Sequence, residues 1–203
     1  MRIRPISPAL LVEEVADRIV SAAGTERLRV VIDGAPPARP GDLADALTGP
    51  LRLRGREVVR VSAGDFLRPA SLRFEHGRTD PDVFYDEWLD SAALEREVLG
   101  PLGPGGSGRV LPALWDSVTD RAVRAPYVTL PPGGVLLLDG ALLLGRGLPF
   151  DLSVHLWLSP GALARNTPAE DRWTLPAYAR HDEDRVADLV VRVDHPDRPA
   201  LVE

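Results

Sequence analysis

The sequence predicts a three-layer α/β/α sandwich built around a mostly parallel sheet. Two apolar runs, residues 28–34 and 135–140, have the composition of buried strands, and each ends in an aspartate followed by a glycine. These acids are Asp33 and Asp139. Helical patterns lie between the strand patterns, and such alternation is typical of a parallel sheet covered by helices on both faces. The length suits one domain of this kind, and we expect residues 1–203 to form it.

The composition restricts the class of protein. With 44% hydrophobic and 27% charged residues, the chain has the balance of a globular protein. A net charge of −6 argues against a general nucleic-acid binder, and the absence of cysteine excludes disulfides and thiolate metal sites. No signal pattern and no apolar run of membrane-spanning length is visible in the sequence. We therefore expect a cytoplasmic protein with no nucleic-acid partner and no membrane partner.

Periodicity predicts further elements along the chain. An apolar face at helical spacing predicts a helix over residues 8–23, and Asp90 is positioned to cap another helix that runs to Leu99. Residues 67–88 are expected to be irregular. The remaining predictions are strands at 57–62, 154–158 and 187–193 (the last strand of the chain), a turn at 100–108, a small hairpin arm at 110–119 and a helix that carries Arg165.

The segment after the first strand has the frame of a phosphate-binding loop. Such loops read G-x-x-x-x-G-K-[ST] between a strand and a helix, and Gly34 fits the first glycine. Arg39 occupies the position of the second glycine, Pro40 that of the lysine and Gly41 that of the hydroxyl residue. The chain contains no lysine, so any cation that meets a phosphate here is an arginine. Pro40 suits the first turn of the following helix, and Asp42 suits its dipole.

These residues predict a loop that does not wrap a phosphate. Glycine lets such a loop curl and aim its N–H groups at phosphate oxygens, whereas the Cβ atom of Arg39 is expected to disfavour the curl. Pro36, Pro37 and Pro40 have no N–H to donate. A structure in which these backbone amides hold a triphosphate would contradict the prediction.

A set of short motifs extends over nearly the whole chain. They are, in order, residues 31–34 (VIDG), 61–69 (VSAGDFLRP), 77–85 (GRTDPDVFY), 115–121 (WDSVTDR), 138–140 (LDG), the helix with Arg165, and 194–196 (DHP). Each motif is modest by itself, but the ordered set resembles the uridine kinase family of P-loop nucleoside kinases and its uridine kinase-like bacterial members. The resemblance implies a P-loop NTPase fold and transfer of the ATP γ-phosphate to a nucleoside hydroxyl, with ATP and Mg²⁺ as cofactors.

The resemblance also implies roles for single residues. Asp139 is implied to bind Mg²⁺, and Arg165 matches an arginine of the lid, with Arg172 in a position to assist. A substrate-side excursion is implied at about residues 64–125 and a lid region at about 160–182. The implied catalytic residues are Asp65, Asp139 and Arg165; the implied cofactor-binding residues are Gly34, Arg39, Gly41 and Asp42; the implied substrate-binding residues are Arg68, Asp80, Tyr85, Trp115 and Asp120.

Two acidic residues are displaced by one position from the family pattern. The family has its catalytic base two residues before a phenylalanine; that position is Gly64 here, and Asp65 follows it. The substrate-binding acid of the family falls at Thr79, and Asp80 follows it. Because one step at a strand end turns a side chain to the other face, Asp65 replaces the base only if the backbone shifts. Otherwise Asp65 is a turn residue.

Several functional hypotheses remain open at this stage. The first is a catalytically weak or inactive, pseudokinase-like protein that binds a nucleoside, a nucleotide or another small molecule. The second is an active nucleoside kinase with a divergent loop, and the third is an interaction module that forms a homo-oligomer through its tryptophan-containing arm. We expect a ligand outside the carboxyl ends of the strands, where Trp115 either stacks on a base or only packs. The four histidines are too far apart in sequence for an obvious metal pair, and we assign them no role.

Overall fold

The computed structural model describes residues 3–22, 24, 26–184 and 186–202. Its strands are β1 (Ile3–Pro5), β2 (Leu28–Gly34), β3 (Val58–Ser62), β4 (Arg109–Val110), β5 (Trp115–Asp116), β6 (Arg121–Ala122), β7 (Val128–Thr129), β8 (Val135–Gly140), β9 (Leu152–Trp157), β10 (Leu189–Arg192) and β11 (Ala200–Val202). Its helices are α1 (Pro8–Ala22), α2 (Pro40–Leu53), α3 (Ala70–Arg73), α4 (Pro81–Glu87), α5 (Ser91–Leu94), α6 (Pro160–Asn166) and α7 (Leu175–Asp184). A π-helical turn, Glu95–Leu99, continues α5.

Seven strands form one sheet in the order β1-β11-β10-β9-β2-β8-β3. The five strands from β10 to β3 run parallel, and β11 pairs antiparallel with both β10 and β1. β2 lies between β8 and β9, which places Val31 opposite Leu138 and Asp33 opposite His155. The carboxyl ends of the parallel strands therefore meet at one edge. The predicted three-layer sandwich with a mostly parallel sheet is confirmed.

Apolar side chains on the two faces of the sheet form two cores. Along β2, Val30 and Ile32 belong to the core shared with α1, α2, α6 and α7, whereas Val31 belongs to the core on the other face. The second core also contains Leu94 of α5 and Leu136 of β8. A strand buried on both faces needs a continuous apolar run, which explains why β2 and β8 were visible in the sequence.

Two parts of the chain differ from the sequence prediction. Residues 67–88 were expected to be irregular but contain α3 and α4, and Asp80 caps α4 by accepting hydrogen bonds from the N–H groups of Asp82 (2.9 Å) and Val83 (3.1 Å). Helices this short show no helical period. Residues 187–193 do contain a strand, but it is not the last one, because the chain turns back and β11 pairs beside it.

The hairpin arm is longer than residues 110–119. β4 pairs with β7, and β5 pairs with β6 inside that ladder, so the arm extends from Arg109 to Thr129. The other predicted strands and helices agree with the structure to within a few residues, including the helix that Asp90 caps through the N–H of Ala93 (2.9 Å). Within the described ranges, no helix is both long enough and apolar enough to cross a bilayer.

Candidate functional site

A cavity of about 440 Å³ lies at the carboxyl ends of β2, β3 and β8. Open parallel α/β sheets bind ligands at this edge. The loop after β2, with Gly34 and Arg39, forms one wall, and Asp139 stands at the end of β8. Phe84 and Trp88 contribute an aromatic wall from the substrate-side excursion. The cavity therefore combines a loop, a carboxylate and a mainly apolar surface.

The loop uses part of its own N–H groups internally. Pro36–Ala38 forms a 3₁₀ turn in which the N–H of Ala38 donates to the carbonyl of Ala35 at 2.8 Å. The N–H of Arg39 donates to the carbonyl of Pro36 at 3.0 Å. These two N–H groups point into the turn, so they are not presented to a ligand.

Arg39 adopts the left-handed conformation that its Cβ atom was expected to disfavour, with φ 58° and ψ 53°. The prediction that Arg39 resists the curl is therefore wrong. α2 begins at Pro40, and a proline disfavours the right-handed helical region for the residue before it, which helps to hold Arg39 in this turn. The guanidinium pairs with Asp42 at 2.5 Å, and both side chains are more than half exposed, so the pair adds little stability.

The strain at Arg39 gives a test of the loop geometry. Arg39→Gly is expected to be more stable than Arg39→Ala by about 0.5–1 kcal/mol. A residue with a Cβ atom costs about 1–2 kcal/mol in the left-handed conformation, and the larger entropy of glycine in the unfolded chain cancels part of this advantage. Both variants lose the guanidinium, so the difference between their free energies of unfolding reports the backbone conformation of residue 39 alone. Urea unfolding at equilibrium measures it. An alanine variant as stable as the glycine variant would show that residue 39 is not left-handed.

Asp139 is paired with Arg60. The Asp139 side chain is 8% exposed, and its Oδ1 accepts a hydrogen bond from Arg60 Nη2 at 2.6 Å. Arg60 also pairs with Asp45 of α2. Burial lowers the pKa of Arg60, but the bonds to the two carboxylates outweigh burial and raise this pKa overall. A Cβ atom on Gly41 would lie 3.3 Å from both Arg60 Nη2 and Asp139 Oδ2, so the pair directly adjoins the loop.

No role was predicted for Arg60 from the sequence, and the strand register explains its position. Ser62 lies opposite Asp139 in the ladder between β3 and β8. Arg60 precedes Ser62 by two residues, so its side chain points to the same face of the sheet. A long guanidinium at that position reaches the carboxylate at the end of the neighbouring strand.

Asp65 lies near enough to Asp139 to be affected by its negative charge, but Asp65 does not line the cavity. Gly64 is the residue of this turn that lines the cavity. Burial raises the pKa of Asp65, and the negative charges of Asp139 and Asp116 raise it further. The position of the family's base is thus occupied by a residue without a side chain.

The structure brings together the residues predicted for cofactor and metal binding. Gly34, Arg39, Gly41, Asp42 and Asp139 all line the cavity. The predicted lid arginines, Arg165 of α6 and Arg172, are exposed. They lie outside the residues that form the cavity wall.

The residues predicted for substrate binding do not line this cavity. Trp115 donates its indole N–H to Asp120 at 3.0 Å, and Asp120 also accepts the N–H of Ala70 at 2.8 Å, which joins the hairpin arm to α3. The ring of Tyr85 packs under the guanidinium of Arg180 at 4.2 Å. Of the other two, Asp80 caps α4 and Arg68 is half-buried.

Two aromatic residues and an arginine line the cavity without a predicted role. Phe84 and Trp88 pack edge to face with their ring centroids 5.0 Å apart. Their i, i+4 spacing, which puts two side chains on one helix face, was the available signal. Arg146 also lines the cavity and donates hydrogen bonds to the carbonyls of Leu142 and Tyr85. Burial lowers the pKa of Arg146.

The histidines are far apart in the sequence and were assigned no role, but the fold brings two of them together. His155 Nδ1 and His181 Nε2 lie 2.6 Å and 2.8 Å from Asp33 Oδ2, at the end of β2. Burial by itself raises the pKa of Asp33, but the hydrogen bonds from the two imidazoles outweigh burial and hold this pKa well below its ordinary value. The other oxygen, Asp33 Oδ1, accepts a hydrogen bond from the N–H of Leu143 at 2.8 Å.

Comparison with solved structures shows which fold this is. A scan of protein-family models and a search of curated proteins gave no match. A structure described as a possible uridine kinase from Bacillus stearothermophilus aligns over 88% of this chain and 96% of its own, with 19% identity and a TM-score of 0.71. The chain has the fold of the uridine kinase-like P-loop kinases.

This P-loop kinase fold is also that of two further solved structures. A proposed fructose transport system kinase from a Silicibacter species aligns over 91% of this chain and 98% of its own, with 20% identity and a TM-score of 0.67. D-glycerate 3-kinase from Cryptococcus neoformans aligns over 86% of this chain and 80% of its own, with 15% identity and a TM-score of 0.58. The predicted P-loop fold class is confirmed.

Proposed function

We propose that the protein is a uridine kinase-like P-loop protein that binds a nucleoside or a related small molecule and transfers phosphate from ATP weakly or not at all. The observation that carries this proposal is the ion pair between Asp139 and Arg60. Asp139 is the carboxylate that the family resemblance assigns to Mg²⁺. In this chain an arginine already neutralises it.

The residues around Asp139 do not fit a Mg²⁺ ion. Mg²⁺ takes oxygen ligands in near-octahedral geometry, and P-loop kinases supply one of them from a serine or threonine hydroxyl. Gly41, at that position, has no side-chain oxygen. One oxygen of Asp139 accepts a charged hydrogen bond from Arg60 at 2.6 Å, and a cation bound there would meet the positive guanidinium.

The loop does not fit a triphosphate either. Phosphate loops bind through a row of backbone N–H groups and a lysine. Here Pro36, Pro37 and Pro40 have no N–H, and the N–H groups of Ala38 and Arg39 donate within the turn. The chain has no lysine to replace them.

The cavity itself suits a small molecule with a flat apolar face. Its volume of about 440 Å³ falls in the range typical of ligand sites. Phe84 and Trp88 offer aromatic surfaces on which a base can stack, and Asp139 and Arg146 supply polar groups nearby. A nucleoside combines these features, so it is the ligand class we propose.

Trp88→Ala is expected to weaken the binding of uridine or cytidine by about 1–3 kcal/mol, the usual contribution of a base stacked on an aromatic side chain. Trp115→Ala is the matched control, because Trp115 lies outside the cavity wall and is expected to leave the affinity within about 0.5 kcal/mol of the unmodified value. Calorimetric titration measures both, and thermal unfolding confirms that each variant is folded.

Two results would count against the nucleoside site. Absence of binding for every nucleoside tested would contradict the proposal as a whole. Weaker binding in Trp115→Ala together with unchanged binding in Trp88→Ala would move the base to Trp115, which is one of the two roles that the sequence leaves open for this residue.

A second candidate function is an active nucleoside kinase in which arginines replace the missing groups. The observation that favours it is Arg39, which keeps the left-handed turn at the second-glycine position and extends an exposed guanidinium along the cavity. The rate of turnover with ATP, Mg²⁺ and a nucleoside decides between the two candidates.

A further inference from the structure

At the end of β2, Asp33 meets His155 and His181. Their relative exposures are 0%, 2% and 4%, so all three are buried. Asp33 Oδ2 lies 2.6 Å from His155 Nδ1 and 2.8 Å from His181 Nε2, and one ligating atom from each residue falls within 4.8 Å of the others. Two imidazoles and a carboxylate are a common set of ligands for transition metals.

Three separate elements bring these side chains together. Asp33 and His155 are direct neighbours in the parallel ladder between β2 and β9, so their side chains share one face of the sheet. His181, on α7, lies 2.8 Å from the same carboxylate oxygen. The position of each ligand is therefore fixed by the sheet or by a packed helix, not by a surface loop.

A carboxylate lies beside the second ring nitrogen of His155, as is common for metal-ligating histidines. Its second nitrogen, Nε2, lies 3.2 Å from Asp182 Oδ1. Ligating histidines usually donate their other ring N–H to a carboxylate, which fixes the tautomer and the ring orientation. A small cavity of about 10 Å³, close to the space of one water, adjoins His155, His181 and Asp182.

We propose that Asp33, His155 and His181 form a binding site for a divalent transition-metal ion of the Zn²⁺ class. The nitrogen donors favour such ions over Mg²⁺ and Ca²⁺, which prefer oxygen ligands. Around a tetrahedral ion with bonds of about 2.0 Å the ligating atoms stand about 3.3 Å apart, so Asp33 has to withdraw by several tenths of an ångström on binding. The bound ion joins β2, β9 and α7. The site is independent of the proposed nucleoside function.

The competing account is a triad held together by protons alone, with both imidazoles donating N–H groups to Asp33. It predicts no stoichiometric metal uptake. The chain offers a clean way to separate the two, because it has no cysteine and only two other histidines, His76 and His195, both exposed. The variant His76→Ala/His195→Ala removes the surface imidazoles and leaves the triad intact.

The experiment titrates tag-free protein, first treated with a chelator, with Zn²⁺ and separately with Co²⁺. We expect one ion per chain, a visible Co²⁺ absorption band, and an unfolding midpoint raised by about 5–10 °C at a free Zn²⁺ concentration one hundredfold above Kd. The His76→Ala/His195→Ala variant should behave like the unmodified protein. Asp182→Asn should weaken binding by about 10–100-fold, and His181→Ala by more than that.

Absence of a stoichiometric ion in the unmodified protein would overturn the proposal. So would loss of binding in the His76→Ala/His195→Ala variant, which would place the ion on the surface. If His181→Ala does not fold, Asp182→Asn decides alone: unchanged affinity in that variant, combined with an unchanged Co²⁺ spectrum, would also overturn the site.

Discussion

Purified protein supplied with ATP, Mg²⁺ and uridine is expected to turn over at least about 10³-fold more slowly than the 1–100 s⁻¹ typical of kinases. Phosphoryl transfer depends on positioning and on charges that stabilise the transferring group. In this chain the loop lysine and the metal-binding hydroxyl are replaced by Pro40 and Gly41, and Gly64 stands at the position of the base. Removing one preorganised electrostatic group typically costs about 10²–10³ in rate, and the three losses are not additive.

The assay uses both ATP and GTP against several nucleosides. Asp139→Asn tests the metal role of this carboxylate in the same assay: because Arg60 already pairs with Asp139, the substitution is expected to lower the residual rate by no more than about threefold. Turnover in the ordinary kinase range would reject the weak-catalyst proposal in favour of the active kinase. In that case Arg39→Ala would show whether this arginine performs the role of the missing lysine.

Asp33→Ala is expected to lower the free energy of unfolding by about 3–5 kcal/mol, which is the usual cost of breaking a buried charged network by removing one partner. The change leaves the imidazoles of His155 and His181 and the N–H of Leu143 without their acceptor in a buried site. Urea unfolding in the presence of a chelator measures the effect without any contribution from metal.

The matched control for Asp33→Ala is Asp42→Ala. Asp42 lies in the first turn of α2, and its side chain is 59% exposed, so its removal should change the free energy of unfolding by no more than about 0.5 kcal/mol. Equal effects of the two substitutions would mean that the buried contacts of Asp33 contribute nothing particular to stability.

The strands could be predicted from the sequence because burial on both faces leaves a direct record in it. β2 and β8 are continuous apolar runs, and the acids Asp33 and Asp139 mark their ends. The short strands and helices have no such pattern in the sequence. β11 has three residues and α3 has four, too few for either period to appear.

The side-chain clusters could not be predicted because they depend on strand order and register. His155 follows Asp33 by 122 positions, and only the placement of β9 beside β2 makes them neighbours. The pairing of Arg60 with Asp139 likewise requires that β3 lies beside β8. The prediction for Arg39 was wrong for another reason. Its local preference against the left-handed region was outweighed by the turn and by the proline that follows.

In the proposed function Arg60 holds Asp139 in place of a divalent cation. Calorimetric titration of the unmodified protein with ATP, with and without Mg²⁺, tests this most directly. If the guanidinium occupies the carboxylate, Mg²⁺ will change the affinity for ATP by less than about threefold, or ATP will fail to bind in either condition. If Mg²⁺ tightens ATP binding by about tenfold or more, Asp139 is available to the metal and the proposed function is contradicted.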